Sequence, residues 1–196
     1  MDNVLKEAIL NGLYDKDKNN GNEFLSPQLV SNDKENKIWF TLRQELLSAT
    51  SFTWAVAFIS ENMLVPFKLV MSELAKKGIS GTLITGTYLG FNSPKVFKEL
   101  MKIPNLKVRL SEEAGFHAKG YIFNHEDYQT ILIGSANFTR SALLKNCEWG
   151  LKVTSHENGH LVQEVNNQIQ IALTTSISLT NSWIREYEKN WQPVKK

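Results

Sequence analysis

The chain has 196 residues, a formal net charge of +2, and 42% hydrophobic and 21% charged residues, the profile of a globular domain with room for one sizeable core. This charge balance excludes a polybasic tail as the means of holding an anion and leaves a local basic patch open. A single cysteine, Cys147, excludes an intrachain disulfide and a multi-cysteine zinc site and points to a reducing, cytoplasmic compartment.

In chain order, residues 3–11 are expected as a short helix. The opening "MDNVLKEAIL" begins with an acid and has no basic region before its apolar residues, so a signal peptide is not expected. "YDKDKNNGNE" is polar and turn-rich, which makes 14–36 a loop or arm. In "NKIWFTLRQELLSAT", Ile38, Leu42 and Leu46, with Trp39 and Leu47, recur at helical spacing. "SFTWAVAFI" (51–59) reads as a strand. "MLVPFKLVMSELAKKG" reads as a helix with Asn62 as cap and Gly78 as stop. "GTLITG" (81–86) is a buried strand, and "GFNSPKVFKELMK" begins a helix at Asn92 or Ser93 with Pro94 in its first turn. "NLKVRLS" (105–111), "FHAKGYIF", "QTILIG" and "CEWGLKVT" are four further strands, and 158–173 and 180–190 are helical. No apolar run approaches the ~18 residues that span a bilayer.

The order β, α, β, α, β, then a strand-rich stretch, then helices, predicts an α/β domain: a mixed sheet with helices on both faces. One domain over 1–175 is expected. "TSISLTNSW" opens a charged 176–196 segment that reads as a linker helix running toward a further region, or as a native C-terminus.

Within "FHAKGYIFN" (116–124), His117 and Lys119 break an otherwise apolar or small run. On a strand they share a face, about 7 Å apart. Downstream, Gly134-Ser135-Ala136-Asn137 follows a strand, and Glu148 falls in the next strand pattern. His-x-Lys alone is a weak signal. His-x-Lys, strand, Gly-Ser-x-Asn and a following Glu resembles the phospholipase D superfamily over roughly 50–155. The resemblance implies a phosphohistidine intermediate formed without metal. One departure is Asn124, where the family pattern has Asp.

The residue chemistry is consistent with that expectation. Phosphodiester cleavage needs a nucleophile, a positive cradle for the phosphoryl oxygens and a proton donor for the leaving alkoxide. His117 supplies the nucleophile if one ring nitrogen is a free acceptor. Glu148 is the candidate carboxylate for the other nitrogen. Lys119 and Asn137 can donate to nonbridging oxygens. Ser135 adds a hydroxyl donor or orients a neighbour. Each residue also has an ordinary role: a core histidine, a strand lysine, a turn cap at Asn137, a surface acid at Glu148. His125, His156 and His160 lie in polar surroundings and read as solvated. No Asp, Glu or His cluster has metal-ligand spacing, so no cofactor is expected.

Members of the superfamily normally use two such motifs, one histidine attacking and the other protonating the leaving oxygen. This chain has one His-x-Lys, so an isologous homodimer with a shared site on its two-fold axis is expected. "TGTYLGFNSPKVFKEL" and "IGSANFTRSALLKNCEWGL" resemble the domain fused to the N-terminus of some bacterial superfamily 2 helicases, with relatives among metal-independent restriction endonucleases. That resemblance implies DNA as substrate and a helicase region in the same chain. Lys95, Lys98, Lys102, Arg140 and Lys145 are candidate contacts to the nucleic-acid backbone. Two other readings stay open: a catalytically silent DNA-binding and dimerisation module, and a lipid phosphodiesterase, for which no membrane-inserting segment is seen.

Overall fold

The computed structural model describes residues 27–156 and 158–192. The helix expected over 3–11 lies outside them. Eight strands form one mixed sheet: β1 (Gln28–Ser31), β2 (Ser51–Val56), β3 (Gly81–Thr85), β4 (Leu106–Ser111), β5 (Lys119–Asn124), β6 (Gln129–Gly134), β7 (Trp149–Ser155) and β8 (Ser176–Ser178). Their spatial order is β1-β7-β6-β5-β2-β3-β4-β8. β2, β3 and β4 run parallel, joined by helices; β5, β6, β7 and β1 add antiparallel neighbours on one side, and β8 closes the other antiparallel to β4. This is the mixed α/β architecture expected from the sequence.

The helices are α1 (Ile38–Ser48), α2 (Glu61–Lys76), α3 (Pro94–Leu100), α4 (Arg140–Leu144), α5 (His160–Thr174) and α6 (Asn181–Asn190). Five of them, α1 to α4 and α6, cover one face, and α5 lies on the other. The main core gathers around Trp54, whose ring lies 5.1–6.0 Å from those of Phe52, Phe67, Tyr121, Phe123 and Phe138. Because β2 is central, both its faces are buried, which is why it reads as a continuous apolar run. The α5 face is covered over Ile84, Ile122 and Ile131, but Leu29, Leu151 and Ile133, paired across β1, β7 and β6, stay exposed.

Several boundaries differ from the sequence reading. Part of the expected 14–36 loop is β1, a short strand paired, among the described residues, with β7 alone. The cap of α2 lies two residues before the expected one: Ser60 is the N-cap, and Asn62 lies in the first turn, where its Oδ1 accepts from Ser60 Oγ (2.7 Å). Gly78, at φ +71°, follows α2 in the left-handed region that an L side chain resists. Of the two candidate caps for α3, Ser93 takes the role, its Oγ accepting from Val96 N with Pro94 at the first position. Within the 176–196 segment, residues 176–190 are not detached from the sheet and helices that precede them. β8 pairs with β4, Arg109 donates to the hydroxyls of Ser176 and Ser178, and Trp183 and Tyr187 of α6 pack edge-on against Phe97. His125 is not solvated either. Its side chain is 4% exposed, stacked on Tyr128 (4.3 Å) and 3.1 Å from Glu45, which also meets Lys152 at 3.1 Å. Burial pushes the Glu45 carboxyl up, but His125 and Lys152 together hold it below its ordinary value.

Candidate active site

One edge of the sheet gathers the loops after β2, β3 and β6 and those before β5 and β7. The registers Val56↔Lys119 and Gly134↔Gly150 fix this. Ligands of open α/β sheets bind at the carboxyl ends of the parallel strands, and that edge carries the residues singled out by sequence.

β5 begins at Lys119, so His117 sits just outside the strand rather than within it. The lysine folds back over the histidine. Its Nζ lies 2.9 Å from Nδ1 and 3.0 Å from Nε2 and donates to the His117 carbonyl at 2.8 Å. The two cation-capable groups therefore touch, where a strict strand would space them about 7 Å apart. His117 is exposed and Lys119 half-buried. Burial pushes the Lys119 ammonium below its ordinary value, and nearby Glu148 acts in the opposite direction. A nucleophilic ring nitrogen must be the unprotonated one.

Tyr121, two residues after Lys119, ties the His-x-Lys strand to the Gly-Ser-x-Asn loop. Its buried hydroxyl donates to the Ala136 carbonyl (3.0 Å). Burial raises its phenol well above the ordinary value, so it remains a donor. Gly134 is required because β6 and β7 close tightly there: a Cβ would lie 2.2 Å from the Trp149 carbonyl oxygen. Ser135 Oγ donates to Glu148 Oε2 and accepts from Trp149 N. Asn137 Oδ1 accepts from Phe58 N (3.3 Å), which leaves its amide N–H groups for a ligand.

Glu148 lies in the loop before β7, not inside the strand. No hydrogen bond joins it to His117 among the described residues. Its carboxylate is held instead by Ser135 and, at 3.4 Å, by Asn146 Nδ2. Ser135 is thus an orienting group for the acid.

The candidate backbone contacts divide into two sets. Lys95, Lys98 and Lys102, on α3 or just beyond it, are paired with Glu61 (2.7 Å), Glu188 (2.5 Å) and Glu99 (2.5 Å). Arg140 and Lys145, at the ends of α4, instead line a small open hollow with Ser60 and Asn62. This leaves their charge available to a polyanion.

Sequence reasoning missed an aromatic cluster that reaches the histidine. Phe58 and Tyr88 meet His117 edge-on, with ring centroids 5.3 and 5.9 Å away, and Phe91 packs on Phe58 at 4.3 Å. The available signal was "YLGF", a strand-to-helix turn carrying two large aromatics where loops are ordinarily polar. Asn92 was also missed as anything but a cap. It is 1% exposed and donates to Ala57 O (2.8 Å), Gly86 O (2.8 Å) and Thr85 Oγ1 (3.1 Å), while accepting from Ile59 N (2.7 Å). It fastens the Phe58 loop to the Tyr88–Phe91 turn.

An apolar cavity of about 720 Å³ opens between α5 and the sheet, with His117 and Lys119 at its margin and Ile133, Leu161 and Ile171 among its walls. No three His, Cys, Asp or Glu side chains converge as a metal site among the described residues, and no helix among them is long and apolar enough to cross a membrane.

Residues 42–172, more than half of the chain, match the model of the family described as "Cardiolipin synthase, PLD-like domain". No curated protein sequence matches. Among solved structures, NucT from Helicobacter pylori superposes with a TM-score of 0.61 at 20% identity, over 78% of this chain and 98% of its own. The phospholipase D family member Nuc from Salmonella typhimurium gives 0.60 at 18% identity, over 78% and 97%. The phosphatidylserine synthase of Haemophilus influenzae Rd KW20 gives 0.58 at 15% identity, over 84% of this chain and 44% of its own. At these identities the structures share the fold. With the family match over 42–172, they show that the chain belongs to the phospholipase D-like domain family.

Proposed function

We propose that this domain is a phosphodiesterase acting on DNA, with His117 as nucleophile. The observation that carries the reading is the contact of an exposed His117 with Lys119 on the sheet edge that also holds Asn137, Ser135 and Glu148. A neutral His117 nitrogen attacks phosphorus. The P–N bond forms as the P–O bond to the leaving group breaks, and Lys119 and Asn137 hold the nonbridging oxygens. A proton must reach the departing alkoxide. With one His-x-Lys per chain, His117 of a second copy supplies it. Water, losing its proton to that same imidazole, then attacks phosphorus and the P–N bond breaks. Glu148, fixed by Ser135, supports positive charge at the pair of imidazoles.

The homodimer is part of this proposal. The exposed row Leu29, Leu151 and Ile133 gives a second copy apolar surface to cover. The resemblance to helicase-fused domains supports DNA as the polymer and a helicase region as its partner in a longer chain. Arg140 and Lys145 provide charge for it. A second reading, a lipid phosphodiester, is favoured by the apolar cavity at the histidine's margin.

The test is incubation with plasmid and with phospholipid vesicles in excess EDTA. Cleavage of plasmid that persists in EDTA, by a species of about twice the 22.3 kDa chain mass, is the expected result. Cleavage only on adding a divalent cation contradicts the assigned roles. Release of a phospholipid headgroup with intact plasmid selects the second reading.

A further inference from the structure

The turn that carries Tyr88, Leu89 and Phe91 is shaped and braced beyond what linking β3 to α3 requires. Leu89 and Phe91 are 64% and 46% exposed, and Phe91 reaches His117 only through Phe58. Leu89 sits at φ 53°, ψ 15°, a left-handed conformation that costs a non-glycine residue stability and persists only where its surroundings enforce it. The surroundings do so here. The Gly90 carbonyl accepts from Trp191 Nε1 (2.8 Å), the Asn92 carbonyl accepts from the Tyr187 hydroxyl (2.9 Å), and the Asn92 amide is locked beneath. Two apolar side chains are thus held out to solvent on a braced turn whose Tyr88 meets His117.

The rings form a continuous surface. Phe91 packs on Phe58, Phe58 is parallel to Tyr88 within 5°, and both Phe58 and Tyr88 hold the edge of His117. A planar group resting on Phe91 is therefore one ring removed from the nucleophile. Every nucleobase presents a π-face, and base–aromatic stacking is sequence-tolerant. A paired, stacked base cannot lie flat on such a surface without leaving the duplex.

We propose that Phe91, with Leu89 and Tyr88, is a stacking shelf for an unpaired nucleobase adjoining the scissile phosphate, so that the substrate is single-stranded or locally unpaired DNA. The inference rests on the DNA-phosphodiesterase reading and names its substrate class. The shelf shares with the apolar cavity only His117, so the two can be tested apart.

The experiment titrates the full chain, carrying His117→Ala to prevent cleavage, against labelled oligo(dT), an abasic phosphodiester chain of equal length, and a duplex, read by fluorescence anisotropy. Oligo(dT) should bind more tightly than the abasic chain and the duplex by roughly 5- to 150-fold per stacked base. Adding Phe91→Ala should bring that preference close to one, and Phe91→Trp should keep it. Phe91 is exposed, so an unchanged melting curve for the alanine variant is expected and checks the fold. Equal binding of oligo(dT) and the abasic chain, or a preference that survives Phe91→Ala, overturns the shelf and leaves the phosphodiesterase reading standing. Binding to no polymer, with binding to anionic phospholipid vesicles that Ile171→Asp removes, overturns both.

Discussion

His117→Ala is expected to lower phosphodiester cleavage by at least about 10³-fold, the scale on which removal of an activated nucleophile is felt. The substitution leaves Lys119 and the Asn137 amide in place, so phosphate binding should persist, weakened far less than the rate. In a homodimer with a shared site, one substitution removes both nucleophile and proton donor. Mixing inactive His117→Ala chains with wild type should then give mixed dimers that retain one imidazole and turn over poorly. Lys119→Ala should act differently. Its ammonium touches the imidazole and, in the proposed mechanism, holds the phosphate, so both affinity and rate should fall. Steady-state and single-turnover kinetics on a labelled oligonucleotide separate these cases. Wild-type rates for His117→Ala would remove the histidine from the mechanism.

The second large effect is on stability. Asn92→Ala is expected to destabilise the fold by about 3–5 kcal/mol, read from the denaturant midpoint. The side chain makes four hydrogen bonds in a site with no solvent access. Its loss leaves the Ile59 amide and the Ala57 and Gly86 carbonyls short of a partner, each such buried group costing about 1–3 kcal/mol before relaxation. The loops Asn92 joins carry Phe58 and Tyr88, which hold the edge of His117. The surviving folded fraction should therefore also cleave more slowly. Asn92→Asp keeps the acceptor for Ile59 but loses both donors and buries a charge, so it should be no better. A midpoint for Asn92→Ala matching a change under about 0.5 kcal/mol would show that Asn92 does not hold the edge together.

Much of the fold was readable because burial imposes patterns. β2 and β3 are largely buried on both faces and appear as apolar runs of strand length, while β4 alternates buried Leu106, Val108 and Leu110 with Lys107 and Arg109. α1 and α2 show helical spacing, and the Ser93-Pro94 pair marks where α3 begins. What was not readable depends on pairing across long sequence distances. β8 is three residues, "SIS", which looks like a polar connector until Arg109 of β4 reaches its serines. β1 is four residues whose strand character comes from pairing with β7, far later in the chain.

At the candidate site, the sequence indicated which residues to look for and their order. His117, Lys119, Ser135, Asn137 and Glu148 do share one sheet edge. The detailed contacts were a different matter. Strand periodicity placed His117 inside β5, and the structure starts the strand at Lys119, freeing the lysine to fold back. Glu148 was expected on the imidazole and is held by Ser135. His125 looked solvated because "NHEDY" is polar, yet Glu45, 80 positions earlier, reaches it from α1. Phe58 read as part of an apolar strand because a strand-end phenylalanine has no local mark that separates a buried ring from one facing a site, and Tyr88 and Phe91 were assigned no role. Asn92 read as a cap for a similar reason: helix-start position fits that role, and only the tertiary structure shows its amide spanning two loops.

The central claim is that His117 forms a covalent bond to phosphorus. Its most direct test is to quench wild-type protein during turnover of an internally phosphate-labelled oligonucleotide and look for label on the chain. The account predicts acid-labile, base-stable phosphate mapping to the peptide that contains His117, present in wild type and in Glu148→Gln and absent in His117→Ala. Active turnover with no protein-bound label, or label on any other residue, would contradict it.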